Sequence, residues 1–396
     1  MFAYSNSPYI ITTWIGGPLA TAFLNGPGFR WGFGVFSIIQ PLACSPLLAL
    51  FIYNQRKAKK MGLLPMSDSK RTTLQSIKHY AIQFDLAGLI LLCSGIALFL
   101  LPFSLYSYQA EGWESPMVVG MIVAGVVLIV LFALFEKFVA PVQFLPFHLL
   151  RDRTILGANV LAAALFVSFY VWDSYFNSFL QVVPGLTIIE TSYVDNIYSI
   201  GSCLWALVAG AWIACFGRFK NIALFFGVPF TALGVGLMIA FRQPDVNIGY
   251  IVMCQIFIAF AGGTLVICEQ VAAMAAVTHQ YITVVLAIQG MCASIGGAIG
   301  MTVAGAVWTG TFPERLQRYL PEDEKSNYLS IYADLEMQLS YPQGTPARDA
   351  ISQAYGDAQK FMLIGGTAVM AIAFVAVACW RNIDVKTKKQ VKGRVI

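Results

Sequence analysis

The chain has 396 residues, of which 58% are hydrophobic and only 11% are charged, with a net charge of +5. A water-soluble domain carries roughly 25% charged residues, so an ordinary soluble enzyme is excluded. The charges are also segregated: ten apolar stretches contain one of them, Asp173, and the other 44 fall in between.

In chain order the stretches are 8–24, 32–53, 86–103, 117–135, 155–176, 197–216, 221–241, 250–268, 282–308 and 361–380. Each is long enough for a helix to cross hydrocarbon about 30 Å thick. None shows the alternation of a barrel strand, and only a helix satisfies its backbone groups within one segment. The expected fold class is therefore all-α, a polytopic membrane protein with ten transmembrane helices. The connections 54–85, 136–154, 217–220 and 269–281 and the tail 381–396 hold 18 basic residues; the short connections on the other side (25–31, 104–116, 177–196, 242–249) hold 2. Basic loops stay cytoplasmic, so both termini are expected there. Arg56, Lys57, Lys59 and Lys60, and the tail from Lys386 to Arg394, then lie beside anionic lipid headgroups, which explains the net charge without nucleic acid.

No signal peptide is expected at Met1. All eight cysteines lie in apolar stretches and read as reduced packing residues. His79, His148 and His279 are scattered, with no partner at ligand spacing, and no glycine-rich phosphate loop follows a strand. No metal, cofactor or enzymatic activity is expected.

The intervals divide the chain into a first pair of spans (1–53), a basic linker (54–85), a second pair (86–135), a connection (136–154) containing Pro141 and Pro146, and six spans with a long outer loop at 309–360 (155–380). The basic tail 381–396 follows. Two six-span halves about a membrane-normal axis are the plan of the major facilitator fold, and its fourteen-span branch inserts two spans between them. On that plan 1–53 is the remnant of an N-terminally truncated half lacking its first four spans, and the chain alone is expected not to transport.

Local motifs agree with this placement. Gly16-Gly17-Pro18 resembles the end of a motif in the fifth span of drug:proton antiporters, and it also serves as a packing notch. Phe29-Arg30-Trp31-Gly32-Phe33 resembles the start of the sixth span in the fourteen-span branch. Gly217-Arg218-Phe219-Lys220 resembles the tail of the superfamily loop signature, with Ala214 and Cys215 where its Asp and Arg stand. Longer stretches, Tyr170 to Val183, Gly296-Gly297-Ala298-Ile299-Gly300 through Trp308, and Tyr341-Pro342-Gln343-Gly344-Thr345-Pro346-Ala347-Arg348, resemble the fungal siderophore-iron transporter family of the major facilitator superfamily. The resemblance implies proton-coupled import of ferric siderophores by alternating access, across the plasma membrane or an endosomal vesicle membrane. A drug:proton antiporter of the same branch and a non-transporting truncated paralogue are the alternatives. The expected partners are the ferric siderophore, protons and lipid, with a monomer as the expected state.

Candidate residues follow from polarity at membrane depth, where an ionisable group needs a partner or a wet cavity. Asp173 stands among Tyr170, Trp172, Tyr175 and Phe176, with Gln181 beyond. The group is either an interfacial aromatic belt with a snorkelling acid or a vestibule for a chelate. Asp173 and Glu269 are the proton-coupling candidates, and Asn159, Gln255 and Gln289 are polar candidates for the cavity wall or for interhelical hydrogen bonds. No Arg or Lys lies in any span. In the loop 309–360, Tyr328, Tyr332, Leu335 and Leu339 recur at helical spacing. Thr345-Pro346 reads as the cap of a second short helix carrying Ile351, Ala354, Tyr355 and Ala358. The resemblance implies siderophore recognition by this loop through Tyr341, Tyr355 and Asp334; a lid packing on its own helices is the other reading.

Overall fold

Continuous apolar sequence folds as helix here, and the helices run past the apolar residues. The computed structural model describes residues 2–63, 72–142 and 147–387. Within the expected linker, connection and tail, residues 64–71, Pro146 and 388–396 lie outside the described residues, as does the side chain of His148.

The principal helices are α1 (Tyr9–Asn25), α2 (Phe29–Lys60), α3 (Leu86–Leu100), α4 (Pro116–Phe138), α5 (Arg153–Asp173), α6 (Phe176–Val182), α7 (Ile188–Asp195), α8 (Ile197–Phe216), α9 (Val228–Phe241), α10 (Ile248–Ala275), α11 (Ile282–Tyr319), α12 (Tyr328–Ala333), α13 (Leu335–Ser340) and α14 (Pro346–Ala378); shorter ones, and Thr73–Gln83 within the expected linker, lie between them. Among the described residues, nine helical segments are long and apolar enough to cross a membrane. The first of the ten expected spans is α1, at 17 residues.

Two expectations need correction. The loop 309–360 shrinks to 320–345, because α11 continues to Tyr319 and the expected short helix and last span are one helix starting at Pro346. Charges end the hydrocarbon without ending the helices: Tyr319 donates to Asp357 at 2.8 Å and Arg315 pairs with Asp357 at 3.4 Å, tying the two projections together. The pattern from Tyr328 to Leu339 is also two helices rather than one. Asp334 is extended (φ −130°, ψ 117°), and its carboxylate accepts the Glu336 N–H at 2.8 Å, capping α13.

The six-span unit is held by close backbone approach. A Cβ on Gly300 would lie 2.7 Å from the Val167 carbonyl oxygen, and one on Gly296 would meet Ala163 Cα at 2.8 Å. One turn on along both helices, the same offset recurs, so α5 and α11 run parallel in contact. On another face of α5, a Cβ on Gly157 would come within 2.7 Å of the Ala376 carbonyl in α14. α8 and α10 meet in the same way at Ser202 and Gly263. One buried cluster gathers around Trp172, Phe176, Trp308 and Tyr355, and a second around Leu161, Phe219, Leu265 and Trp380.

At the Lys220 end the loop and tail lock together. Lys220 Nζ donates to the carbonyls of Ala378 (2.8 Å) and Trp380 (2.7 Å), capping α14. The backbone at Arg218 forms an isolated antiparallel bridge with that at Asp384, the Val385 N–H donating to the Gly217 carbonyl at 2.9 Å, and the Arg381 side chain pairs with Asp152 at 3.1 Å. The first part of the expected basic tail, through Lys386, is therefore built into the fold. The first two helices attach lightly: α1 lies on α7 and α8 through Gly17 beneath Ser192 and Trp14 against Tyr193 (5.4 Å), while α2 has no buried residue.

Replacing Gly296 or Gly300 with Ala puts a methyl group into backbone that cannot step aside, a strain of about 1–3 kcal/mol. The expected outcome is a lower melting temperature in detergent than for Gly16→Ala, which has open space around it; equal melting temperatures would contradict the contact.

Candidate functional site

α5 stops at Asp173, and Tyr175 (φ −116°, ψ 18°) interrupts the helix before α6 resumes. That break sends neighbouring aromatics in opposite directions. Trp172, buried, meets Phe169 (5.2 Å), Tyr198 (6.0 Å) and Phe176 (6.1 Å) at steep angles. Tyr175 turns away and stacks on Trp308 at 4.2 Å and 9°; Trp308 stacks on Phe312 at 4.1 Å. Tyr355 closes this group edge-on, 5.0 Å from Trp308 and 4.8 Å from Phe312.

Beneath Trp172 sits a cation that the sequence reading placed in a loop. Arg242, directly after α9, is wholly buried. Its Nη1 donates to the Trp172 carbonyl at 2.7 Å, and its guanidinium lies 4.0 Å from the Phe176 ring centre and 5.3 Å from that of Phe179. Asp173 and Asp195 are within its electrostatic reach, but neither forms an ion pair with it within 4.0 Å. Arg242 thus lies outside the spans, in the connection 242–249, yet its side chain is buried. Inside, a carbonyl and two ring faces contact the guanidinium in place of its lost hydration.

A cavity of about 400 Å³ opens beside this cluster, lined by Trp172, Phe169, Tyr198, Ser168, Ser202 and Thr231, with Asn6 and Tyr9 at its edge. Of the nine expected chelate-facing residues, Trp172 alone is among its lining residues. Tyr170 packs over Gly297 and Gly300 instead. Gln181 is half-buried and donates to Asn177 Oδ1 at 2.7 Å. Asn159, Gln255, Glu269 and Gln289 are all buried. Glu269 stands beside Gln289, and both side-chain polar atoms of Asn159 and Gln255 lack a hydrogen-bond partner among the described residues. Buried amides in that state call for a partner.

The segment 320–345 caps the Trp172 end, and Arg348 fastens it. Its Nε donates to the Val182 carbonyl at 3.0 Å, and its Nη1 to those of Gln338 and Tyr341. Tyr355 donates to Gln338 Oε1 at 2.8 Å, and Gln338 donates to the Ile331 carbonyl at 2.7 Å. Tyr355 is thus a buried support of the cap, Tyr341 stands at its edge, and Asp334 is exposed. Tyr341 donates to Glu324 at 2.8 Å. Burial first, then that hydrogen bond, pushes the Tyr341 phenol up to about 12, and the same bond lowers the Glu324 carboxyl. The structure unites Tyr175 with Tyr355 through Trp308 and leaves Asp334 apart from Asp173.

The helices define a multi-pass membrane protein, and sequence comparison gives its family. The family model described as "Fungal trichothecene efflux pump (TRI12)" matches residues 5–321. The chain is 62% identical over its whole length to MFS siderochrome iron transporter 1 of Ajellomyces capsulatus, covering 67% of that protein. It is 45% identical over 99% of its length to MFS siderochrome iron transporter D of Aspergillus fumigatus and 44% identical over its whole length to siderophore iron transporter mirB of Emericella nidulans, covering 65% of each. The chain belongs to the fungal siderophore-iron transporter family of the major facilitator superfamily, a family of transport proteins rather than enzymes. It spans about two thirds of the length of these curated relatives.

Two outcomes follow for the cap. Tyr355→Phe removes one buried hydrogen bond and should lower stability by about 1 kcal/mol, read from thermal unfolding. The depressed Glu324 carboxyl contributes stability that is lost only as pH falls below the ordinary 4.5, and the raised Tyr341 phenol contributes stability lost only as pH rises above the ordinary 10.0. Limited proteolysis within 320–345 should therefore keep a constant rate between those values; a transition near neutrality would contradict the pairing.

Proposed function

We propose that this chain is part of a secondary transporter that imports ferric siderophores with coupled proton movement, working by alternating access, in the plasma or an endosomal membrane with both termini in the cytoplasm. The observation that carries the reading is the 62% identity, along the whole chain, to a protein named as a siderochrome iron transporter. The site fits the task. Rings of Phe169, Trp172 and Tyr198 offer faces to a bulky chelate, the hydroxyls of Ser168, Ser202 and Thr231 offer hydrogen bonds, and Asp173 and Glu269 offer carboxylates for protons. Tyr170, Tyr175, Phe176, Gln181, Asn159, Gln255 and Gln289 stand behind or away from this cavity's lining and would serve the route only in another conformation of the transport cycle. Tyr341, Tyr355 and Asp334 belong to the cap over the route.

Export of a toxic amphipath by proton antiport is a second reading, favoured by the efflux-pump family model that matches residues 5–321. Direction separates the two. In a host lacking iron-uptake systems, the chain, alone or joined to the corresponding N-terminal segment of the Ajellomyces relative, should support growth on a ferric siderophore and accumulate radio-iron. Drug resistance without iron accumulation would favour export, and neither would leave a non-transporting paralogue.

Asp173→Asn in that setting should reduce radio-iron uptake several-fold at unchanged protein level. Full uptake would remove Asp173 from the coupling role.

A further inference from the structure

Beside the cap, segments remote from one another in sequence enclose a polar cavity of about 250 Å³. The turn between α9 and α10 brings Asp245, the cap brings Gln343, and the first turns of α14 bring Asp349, Ser352 and Gln353. The spacing i, i+3, i+4 puts the last three on one side of α14. Val183, just after α6, and Pro244 complete the lining.

This lining holds two acids and no base. Among the described residues, neither Asp245 nor Asp349 takes part in an ion pair. Arg348, next to Asp349 in the chain, is occupied by the carbonyls of Val182, Gln338 and Tyr341. Gln343 donates its Nε2 to the same Val182 carbonyl at 3.2 Å, which leaves its Oε1 to accept or to coordinate. Ser352 gives an independent sign of a ligand. It is only 6% exposed, opens on the cavity and makes no hydrogen bond among the described residues. A buried hydroxyl in that state calls for a partner, and the two carboxylates beside it favour one with positive charge.

We propose that this cavity is a calcium site in which Asp245 and Asp349 supply charge and Ser352, Gln343 and Gln353 supply neutral oxygens, tying the α9–α10 turn and the cap to α14. Oxygen donors without thiol or imidazole select a hard cation. No ring lines the cavity, as an organic ammonium would require. Donors drawn from separate segments suit the adaptable shell of calcium better than the strict octahedron of magnesium. Two carboxylates with neutral oxygens place the dissociation constant at about 10⁻⁴–10⁻³ M, the range of calcium sites outside cells. The cap belongs to the expected outer loop, so the ion would be met there. The site stands whether or not the import reading does.

Equilibrium dialysis of the purified chain in detergent against radioactive calcium tests it. A single ion per chain should bind saturably, and magnesium at the same concentrations should displace it poorly. Asp245→Asn and Asp349→Asn, both at exposed positions, should fold and each weaken binding about tenfold, since affinity follows the charge of the ligands. Ser352→Ala should weaken it several-fold, and Asp323→Asn, at an exposed acid of the cap outside the cavity, should leave it unchanged. Calcium should also raise the melting temperature of the unaltered chain and not that of Asp245→Asn. The proposal is overturned by equal displacement with magnesium, by binding that neither Asp245→Asn nor Asp349→Asn alters, or by no saturable binding up to about 10 mM, well above the weak end of that range.

Discussion

In hydrocarbon two helices gain nothing by hiding apolar side chains from each other, because lipid is as apolar as they are. What holds α5 to α11 is close approach at Gly296 and Gly300, where backbone meets the backbone of Ala163 and Val167. The rest of the six-span unit depends on that contact. It sets the parallel register that seats Tyr170 over Gly297 and brings Trp308 opposite Tyr175. From Trp308 the stack passes to Phe312 and Tyr355, and Tyr355 supports the Gln338 and Arg348 network that fastens the cap.

Polar groups in this unit are arranged by what can compensate them. Arg348 is surrounded by carbonyls and has a fastening role, whereas Arg242 lies against the rings of Phe176 and Phe179 with one carbonyl partner. The amides of Asn159 and Gln255 form a third class, buried and unbonded among the described residues. These differences separate scaffold from working groups better than polarity alone.

Fold class was legible because ten uninterrupted apolar stretches have few alternatives to helices in lipid, and the family was legible in the stretch from Tyr170 to Val183. Helix ends were not. Charge marks where hydrocarbon stops, but Pro346 begins and Tyr319 ends a helix well outside the apolar run, held by contacts between α11 and α14 that no local pattern reveals. Asp334 also caps α13, a role set by its own extended backbone that residue type alone does not show. Arg242 and Asp195 were missed because the cluster is assembled across some 70 residues of chain. One signal was available: Arg242 is one of only 2 basic residues in the short connections of the side otherwise empty of them. A lone cation against that trend calls for a local partner.

The central claim is that the aromatic and hydroxylated cavity beside Trp172 takes a ferric chelate. Ferric hydroxamates and catecholates absorb light and quench nearby indoles, so fluorescence titration of the purified chain against a panel of both classes measures it directly. Saturable quenching by at least one chelate, lost in Trp172→Phe and retained when exposed Trp212 is replaced by Phe, is the predicted result. Saturable quenching that Trp172→Phe leaves intact, or none by any chelate in the panel, would contradict it.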